Sequence, residues 1–168
     1  MKQFYEKHRE IIMYLAFGVI TTIVGFVTYL AVFAIAEHGF GMPMDDKTAP
    51  VYLAVYMVAQ LIQWLVAVLT AFYTNRRWVF TDADHSKGSL GRQLVLFAGS
   101  RVATLGLDIV ATFLFIQLFN LWIDATNPPV LLGIALTAEL WAKVIVSALV
   151  IVANYIISKL LVFRKKNN

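Results

Sequence analysis

The sequence predicts an all-α integral membrane protein with four transmembrane helices, arranged as two tandem helical hairpins that run in the same direction. Of its 168 residues, 60% are hydrophobic and 14% are charged, whereas soluble domains average about 45–50% apolar and about 25% charged residues. Mean hydropathy is +0.74, and the apolar residues form long blocks with room for about four spans of roughly 20–30 residues. A transmembrane β-barrel would instead show alternating segments of about 10 residues.

The two halves of the chain repeat each other at a shift of 83 residues. The likeness is clearest where each half ends, in AFYTNRRWVF at 71–80 and ANYIISKLLVF at 153–163. The shift aligns Arg9 with Arg92, Thr21 with Thr104, Gln60 with Lys143, Asn75 with Ser158, Arg76 with Lys159, Val79 with Val162 and Phe80 with Phe163. We therefore predict a single transmembrane domain over residues 1–168, with repeat 1 at about 9–80 and repeat 2 at about 92–163.

Long apolar blocks alternate with short polar loops along the chain. The blocks predict spans at about 9–36, 51–80, 93–121 and 131–163. Glycine, proline and acidic residues mark the loops between them, and Pro128 and Pro129 break the third loop. The chain has no cysteine, so disulfides and thiolate metal sites are excluded.

The polar loops hold acidic residues and histidines whose spacing matches no metal-ligand pattern. Those of the first loop are Glu37, His38, Asp45 and Asp46. In the second loop, Asp84 precedes His85, but no nucleophile lies nearby to make an acid–base pair useful. We therefore predict solvated loops and no metal site.

Basic residues concentrate at both termini and in the second loop, whereas the first and third loops hold Lys47 as their one base. The basic set is Lys2, Lys7, Arg9, Arg76, Arg77, Lys87, Arg92, Lys159, Arg164, Lys165 and Lys166. Because lysine and arginine favour the cytoplasmic side, we predict cytoplasmic termini and a cytoplasmic second loop. Orientation thus explains the net charge of +4, and no nucleic-acid partner is expected.

Four ionisable residues fall inside the third and fourth spans, namely Arg101, Asp108, Glu139 and Lys143. Each costs about 2.5–3.5 kcal/mol to insert, so such residues usually face the bundle interior. We expect Asp108 and Lys143 near mid-membrane, facing each other directly or through water. The alternative is that Arg101–Asp108 and Glu139–Lys143 pairs only fix helix register.

A polar cleft for an anionic headgroup is the functional interpretation of these charges. Arg101 is the first candidate for a phosphate ligand, because guanidinium makes two charge-assisted hydrogen bonds at once, and Lys143 is the second. Arg76 and Lys159 either gather the same anion or anchor the helices by snorkelling. Asn75 and Asn154 bind either a ligand or a neighbouring helix. No catalytic triad, metal cluster or phosphate loop appears, so we predict no enzyme and no cofactor.

These residues resemble the GtrA-like family of four-span membrane proteins. Its motif at the end of the second and fourth spans is matched by NRRWVF at 75–80 and by Asn154 followed by SKLLVF at 158–163. Ser100-Arg101 followed by Asp108 matches the third span, and Lys143 falls where the family tends to carry lysine. The resemblance implies a fold like that of small multidrug resistance exporters. It also implies transport of polyprenyl-phosphate sugars across the bacterial inner membrane, for O-antigen, teichoic acid or arabinan.

One departure from the family places the ligand site mainly in spans 3 and 4. The family often has an acidic residue in span 1 at the position equivalent to Asp108, where this chain has Gly25. We interpret the protein as a flippase for a lipid such as undecaprenyl-phosphate glucose. Arg101 and Lys143 would hold the phosphate. The residues that would bind sugar hydroxyls or tune the bases are Asp108, Glu139, Gln60, Asn75, Asn154 and Ser100.

Two other functions stay open at this point. A non-transporting anchor for a polyprenyl-phosphate glycosyltransferase would depend on its basic ends, namely Arg76, Arg77 and 164–166. A small multidrug-type exporter would need Glu139 to trade a proton for a cation, but the neighbouring Lys143 argues against a cationic substrate. Four glycines supply close packing either within one bundle or in a homodimer, namely Gly18, Gly25, Gly99 and Gly106.

Overall fold

A computed structural model describes residues 2–123, 128–131 and 134–164. Its long helices are α1 (Lys2–Ala34), α2 (Pro50–Thr74), α3 (Lys87–Phe119) and α4 (Ala138–Ile157). In this described part, four helices are long and apolar enough to cross a membrane. The predicted all-α, four-span membrane fold is therefore confirmed.

Three of the long helices end in a single wider turn of π-helix. The turns are π1 (Ile35–Gly39) after α1, π2 (Asn75–Val79) after α2 and π3 (Ser158–Val162) after α4. The last two lie at equivalent positions of the sequence repeat and are closed by equivalent hydrogen bonds. The Phe80 N–H donates to the Asn75 carbonyl and the Phe163 N–H to the Ser158 carbonyl, each at 2.8 Å. Such turns are rare and often lie near functional sites.

The chain divides into two compact units, Met1–Ala83 and Asp84–Asn168. The first unit is a hairpin of α1 packed on α2, and the second is a hairpin of α3 packed on α4. Each contains the same ring contact: Tyr14 with Phe80 at 6.4 Å between centroids, and Phe97 with Phe163 at 5.9 Å. The repeat thus recurs in side-chain packing, while the grouping of both halves into a single domain stays a prediction.

Close approach of α1 and α2 depends on Gly25. A methyl group built there would lie 3.6 Å from the Ala67 Cβ, which is ordinary contact with no room for a larger side chain. Small residues allow such approach in lipid, where hydrophobic burial does not drive helix association. Among the described residues, nothing lies within 4 Å of a methyl built at the other three predicted packing glycines, namely Gly18, Gly99 and Gly106.

The third helix begins at Lys87, six residues before the predicted start, so 87–92 is helical and not part of the loop. Asp84 organises this start. Its carboxylate accepts the Ser86 N–H at 2.9 Å, and its backbone carbonyl accepts hydrogen bonds from the Ser89 hydroxyl and the Gln93 amide, both at 2.9 Å. Periodicity alone could not locate this boundary, because residues 87–92 are polar.

The fourth helix begins at Ala138, and the predicted start near residue 131 is wrong. Two short strands precede it instead, β1 (Val130–Leu131) paired antiparallel with β2 (Ile134–Ala135). Thr137 caps the helix, since its hydroxyl accepts the Leu140 N–H at 3.3 Å. A capping threonine before an apolar run is the signal that hydropathy overlooked. Residues 124–127 of the third loop and 165–168 of the predicted basic tail lie outside the described residues.

In the first loop, Asp46 closes a turn just before α2. Its Oδ1 accepts the Thr48 hydroxyl at 2.7 Å and the Thr48 N–H at 2.9 Å. These hydrogen bonds lower the pKa of Asp46, because they favour the charged carboxylate, the hydroxyl contributing most. The exposed Asp46 carboxylate thus serves a local turn, as a solvated loop requires.

The predicted orientation can be tested by cysteine labelling, since the chain has no cysteine of its own. Phe40 in the first loop is 72% exposed, and His85 in the second loop is also exposed. We expect a membrane-impermeant maleimide to label Phe40→Cys in intact cells and His85→Cys only after permeabilisation. The reverse pattern would overturn the predicted topology.

The buried ring pair of the second unit predicts a stability difference between two phenylalanines of α3. Phe97 is fully buried, whereas Phe113 is 60% exposed. Phe97→Ala should lower the free energy of unfolding by roughly 3–5 kcal/mol, because it leaves a cavity against Phe163. Unfolding in detergent micelles measures the loss, with Phe113→Ala as the matched control. Equal losses would show that the pair does not hold the hairpin together.

Candidate functional site

The central feature of the second unit is an ion pair between its two helices. The Lys143 ammonium on α4 lies 2.8 Å from Oδ2 of Asp108 on α3. The prediction that these side chains face each other is confirmed. The Lys143 side chain is 58% exposed and that of Asp108 is 20% exposed. The pair therefore lies within two membrane spans and remains reachable from the surface of this unit.

The alternative pairing does not form among the described residues, where Asp108 is bonded to Lys143 and Arg101–Asp108 and Glu139–Lys143 ion pairs are absent. Glu139 is not buried inside the span, as expected, but exposed in the first turn of α4. The positive end of the helix dipole favours a carboxylate there. Lys143 lies five residues after Ala138, about 7.5 Å along the axis. It is thus nearer the third loop than the expected mid-membrane position.

Arg101 lies on α3 two turns before Asp108, or roughly 10 Å along the axis at 1.5 Å per residue. Its guanidinium carbon sits 4.6 Å from the ring centroid of Phe97, a cation–π contact. Phe97 in turn contacts Phe163 directly after π3. Aromatic packing thus orients Arg101 near the π3 end of the hairpin, while Lys143 marks the opposite half.

A second polar link joins α3 to α4 close to Arg101. The Thr104 hydroxyl lies 3.0 Å from the Asn154 Oδ1 and 3.0 Å from the Ser100 carbonyl oxygen. Asn154 is 8% exposed, so the structure supports its bond to a neighbouring helix. The Ser100 hydroxyl donates to the Phe97 carbonyl at 2.7 Å. Ligand roles for Asn154 and Ser100 stay predictions.

The π-turns carry the remaining predicted cations. Lys159 of π3 is exposed, and its ammonium donates to the Tyr155 hydroxyl at 3.2 Å and lies 5.5 Å from that ring's centroid. In π2, Asn75 is buried and Arg76 is half-buried. Aromatic and basic side chains together are typical of a membrane–water interface. Both predicted uses of Arg76 and Lys159, as anion ligands or as anchors, remain compatible with this placement.

The same end of the first unit is held by contacts from α1 to π2. An Arg9 guanidinium nitrogen donates to the Trp78 carbonyl oxygen at 3.3 Å. The Trp78 ring stacks on Phe17 at 5.3 Å and meets Tyr73 edge-on at 5.5 Å. A basic residue among interface-type aromatics therefore closes the first hairpin at its π-turn.

The first unit lacks the charges of the second. The repeat shift of 83 residues places Gly18 where the second unit has Arg101, Gly25 at the Asp108 position and Gln60 at the Lys143 position. The predicted inequality of the two halves thus extends to three positions. The second unit alone holds this set of charges, within the part of the chain that the structure describes.

Gln60 belongs to a neutral hydrogen-bonded row on α2. Its amide nitrogen donates to the Tyr56 hydroxyl at 2.9 Å, and its Oε1 accepts the Gln63 amide at 2.8 Å. The sequence pointed to Gln60 but not to Tyr56 as a candidate residue. The i,i+4 spacing from Tyr56 to Gln60 and the i,i+3 spacing to Gln63 were the available signals.

Comparison with known proteins identifies the family. Residues 13–163 match the family described as GtrA/DPMS, transmembrane domain. The chain belongs to this family. The match covers both hairpins of the GtrA/DPMS domain, including the ion pair and both π-turns, and confirms the resemblance predicted from the motifs.

Several relatives of this GtrA/DPMS protein cover nearly the whole chain. It is 31% identical to the uncharacterized membrane protein YwcD of Bacillus subtilis, over 91% of this chain and 95% of the relative. It is 26% identical to the cell wall teichoic acid glycosylation protein GtcA of Listeria monocytogenes, over 96% and 89%. GtcA of Listeria innocua is 25% identical over 92% and 85%. No solved structure matches the chain, and the likeness to small multidrug exporters stays a prediction.

The ion pair predicts that two single substitutions harm the fold more than their combination does. Asp108→Leu leaves the Lys143 ammonium without its counter-charge inside the spans, at a cost of up to about 2.5–3.5 kcal/mol. Asp108→Leu combined with Lys143→Leu removes both charges, so unfolding in micelles should return close to wild type. A double variant no more stable than Asp108→Leu alone would show that the pair does not support the fold.

Proposed function

We propose that this protein translocates a polyprenyl-phosphate-linked monosaccharide, such as undecaprenyl-phosphate glucose, from the cytoplasmic to the outer leaflet of a bacterial inner membrane. The lipid would then serve cell-surface polysaccharide glycosylation. The observation that carries the proposal is the Lys143–Asp108 pair, which lies within the spans but is open at the surface of its unit. The GtcA relatives, named as teichoic acid glycosylation proteins, support a role in handling sugar lipids.

Asp108 would keep Lys143 charged and ready for a phosphate. Without a counter-charge, an ammonium inside the membrane is costly and tends to lose its proton. A phosphate oxygen is chemically similar to the Asp108 carboxylate as an acceptor, so it can share or replace that partner at Lys143. A carboxylate held in this way stabilises the empty site without blocking an incoming anion.

Arg101 would receive the phosphate before Lys143 does. It lies about 10 Å closer to the π3 end of α3, which is the predicted cytoplasmic end. Its planar fork suits phosphate, and its contact with Phe97 holds it in place. Arg76 and Lys159 at the π-turns would gather the anion from the interface. The phosphate would then step from the π-turn, through Arg101, to Lys143, while the polyprenyl tail stays in lipid.

This process needs no bond to break, so we infer a carrier and not an enzyme. Transport would run downhill or with a coupled ion. The multidrug-exporter alternative loses support, because Glu139 lies exposed in the first turn of α4. An exchanging carboxylate would be expected deeper in the span. The anchor alternative keeps one supporting observation, the basic and aromatic π-turn that closes each hairpin.

A proteoliposome assay tests the proposal with a short-chain polyprenyl-phosphate glucose as the transported lipid. Arg101→Ala and Lys143→Ala should each slow translocation at least tenfold, since a charge-assisted hydrogen bond is worth about 1.5–3 kcal/mol. Arg92→Ala is the matched control, because it removes an exposed arginine from the same helix. Normal transport by a folded Arg101→Ala protein would sink the assignment.

The anchor alternative predicts the opposite pattern. An anchor depends on the exposed Arg77 and on Lys159 at the π-turns and is indifferent to Arg101 and Asp108. Glycosylation in cells that survives Arg101→Ala but is lost in Arg77→Ala, together with no translocation by folded wild type, would favour the anchor.

A further inference from the structure

The first unit holds a row of neutral polar groups inside its second span, formed by Tyr56, Gln60 and Gln63 and called here the amide ladder. Two hydrogen bonds of 2.9 and 2.8 Å link its three side chains. Polar groups in a membrane span need such partners, because lipid supplies none. The ladder lies at the repeat positions where the second unit carries Glu139 and Lys143.

The amide ladder satisfies itself only in part. Each glutamine has two N–H donors and an oxygen with two lone pairs, and a tyrosine hydroxyl both donates and accepts. The two hydrogen bonds leave the Tyr56 O–H, the Gln63 Oε1 and one N–H of each amide without a partner among the described residues. The three side chains are partly exposed on the surface of the unit. The ladder therefore presents alternating donors and acceptors to a ligand.

Aromatic rings lie beside one end of the amide ladder. The Tyr29 ring of α1 meets Tyr56 edge-on, with 6.3 Å between centroids. Tyr29 also contacts Phe33 at 4.9 Å, and Phe33 contacts Tyr52 at 5.5 Å. Apolar and aromatic surface with a few placed polar groups is the usual make-up of a small-molecule site. The C–H face of a pyranose can lie on such rings while its hydroxyls reach the amides.

The amide ladder carries no charge, in contrast to the equivalent part of the second unit. A hydroxyl group both donates and accepts, so several hydroxyls on one ring match alternating amide and phenol groups. A carboxylate would find no cation in the ladder, and an ammonium no anion, so either would lose hydration without return. The chemistry that fits is an uncharged polyol.

We propose that the amide ladder is a subsite for an uncharged monosaccharide headgroup. This inference rests on the proposed function, which supplies the sugar lipid, and it deepens that function by assigning the sugar to the first unit and the phosphate to the second. Gln60 is the central residue, Gln63 extends the acceptor side, and Tyr56 provides the terminal donor. Tyr29 and Tyr52 form the apolar surface beside them.

Lipid affinity tests the subsite separately from transport. The probes are a short-chain polyprenyl-phosphate glucose, the same polyprenyl phosphate without sugar, and a glucuronate analogue, each titrated onto protein in nanodiscs. Wild type should bind the glucose lipid roughly three- to ten-fold more tightly than the sugarless lipid, as one or two neutral hydrogen bonds allow. The glucuronate lipid should show no such gain.

Substitution of both glutamines, Gln60→Leu with Gln63→Leu, should abolish the gain from glucose and leave the affinity for sugarless lipid unchanged. Tyr56→Phe should reduce the gain in part, since it removes one hydroxyl and keeps the ring. Gln117→Leu is the matched control, because Gln117 is an exposed glutamine on α3 of the second unit. It should retain the full gain.

Several outcomes would overturn the subsite: no gain in wild type, an equal gain with glucuronate, or a gain that survives loss of both glutamines. Failure of the proposed function looks different. Wild type that binds glucose lipid through the ladder but never translocates it would refute the flippase and keep the subsite. Translocation that is normal in the double glutamine variant, with an unchanged affinity gain, would refute the subsite and keep the flippase. Wild type that binds neither lipid would refute both.

Discussion

A charge inside a membrane must find a counter-charge, and in this protein that constraint is met by the bond between Lys143 and Asp108. It links the helices of the second unit and keeps both groups ionised. Because the pair is open on the surface of its unit, it does more than cancel two charges. It offers an anion a cation that is already charged and held in place. Arg101, two turns away and set on Phe97, extends this positive path toward π3.

The two hairpins share a frame but differ in chemistry. The π-turns and the ring contacts Tyr14–Phe80 and Phe97–Phe163 recur at a shift of 83 residues. Between these shared elements, the first unit places Gly25 and Gln60 where the second places an acid and a base. Glycine lets α1 approach α2 closely, and Gln60 joins a neutral ladder. A repeated scaffold with one charged and one uncharged half suits a ligand that is itself part phosphate and part sugar.

Much of the fold was predictable, because lipid imposes simple rules on sequence. Long apolar blocks reported four spans, and the motif at 75–80 and 158–163 reported the repeat and the family. Helix boundaries were less predictable. The start of α4 at Ala138 depends on a Thr137 cap and a short strand pair, which hydropathy does not register. The wrong boundary also misplaced Glu139, which lies in an exposed first turn and not within the span.

The sequence by itself determined the spans, the repeat, the family and the four residues whose charge needs explanation, since each of these follows from composition or spacing along one helix. Only the tertiary structure decided which charges meet. Asp108 was within two turns of Arg101 on its own helix, yet it bonds to Lys143 across the hairpin. Likewise, Asn154 bonds to Thr104, 50 residues earlier in the chain. Partner choice depends on how two helices pack, and helix rotation and register are properties of the packed pair that no single span encodes.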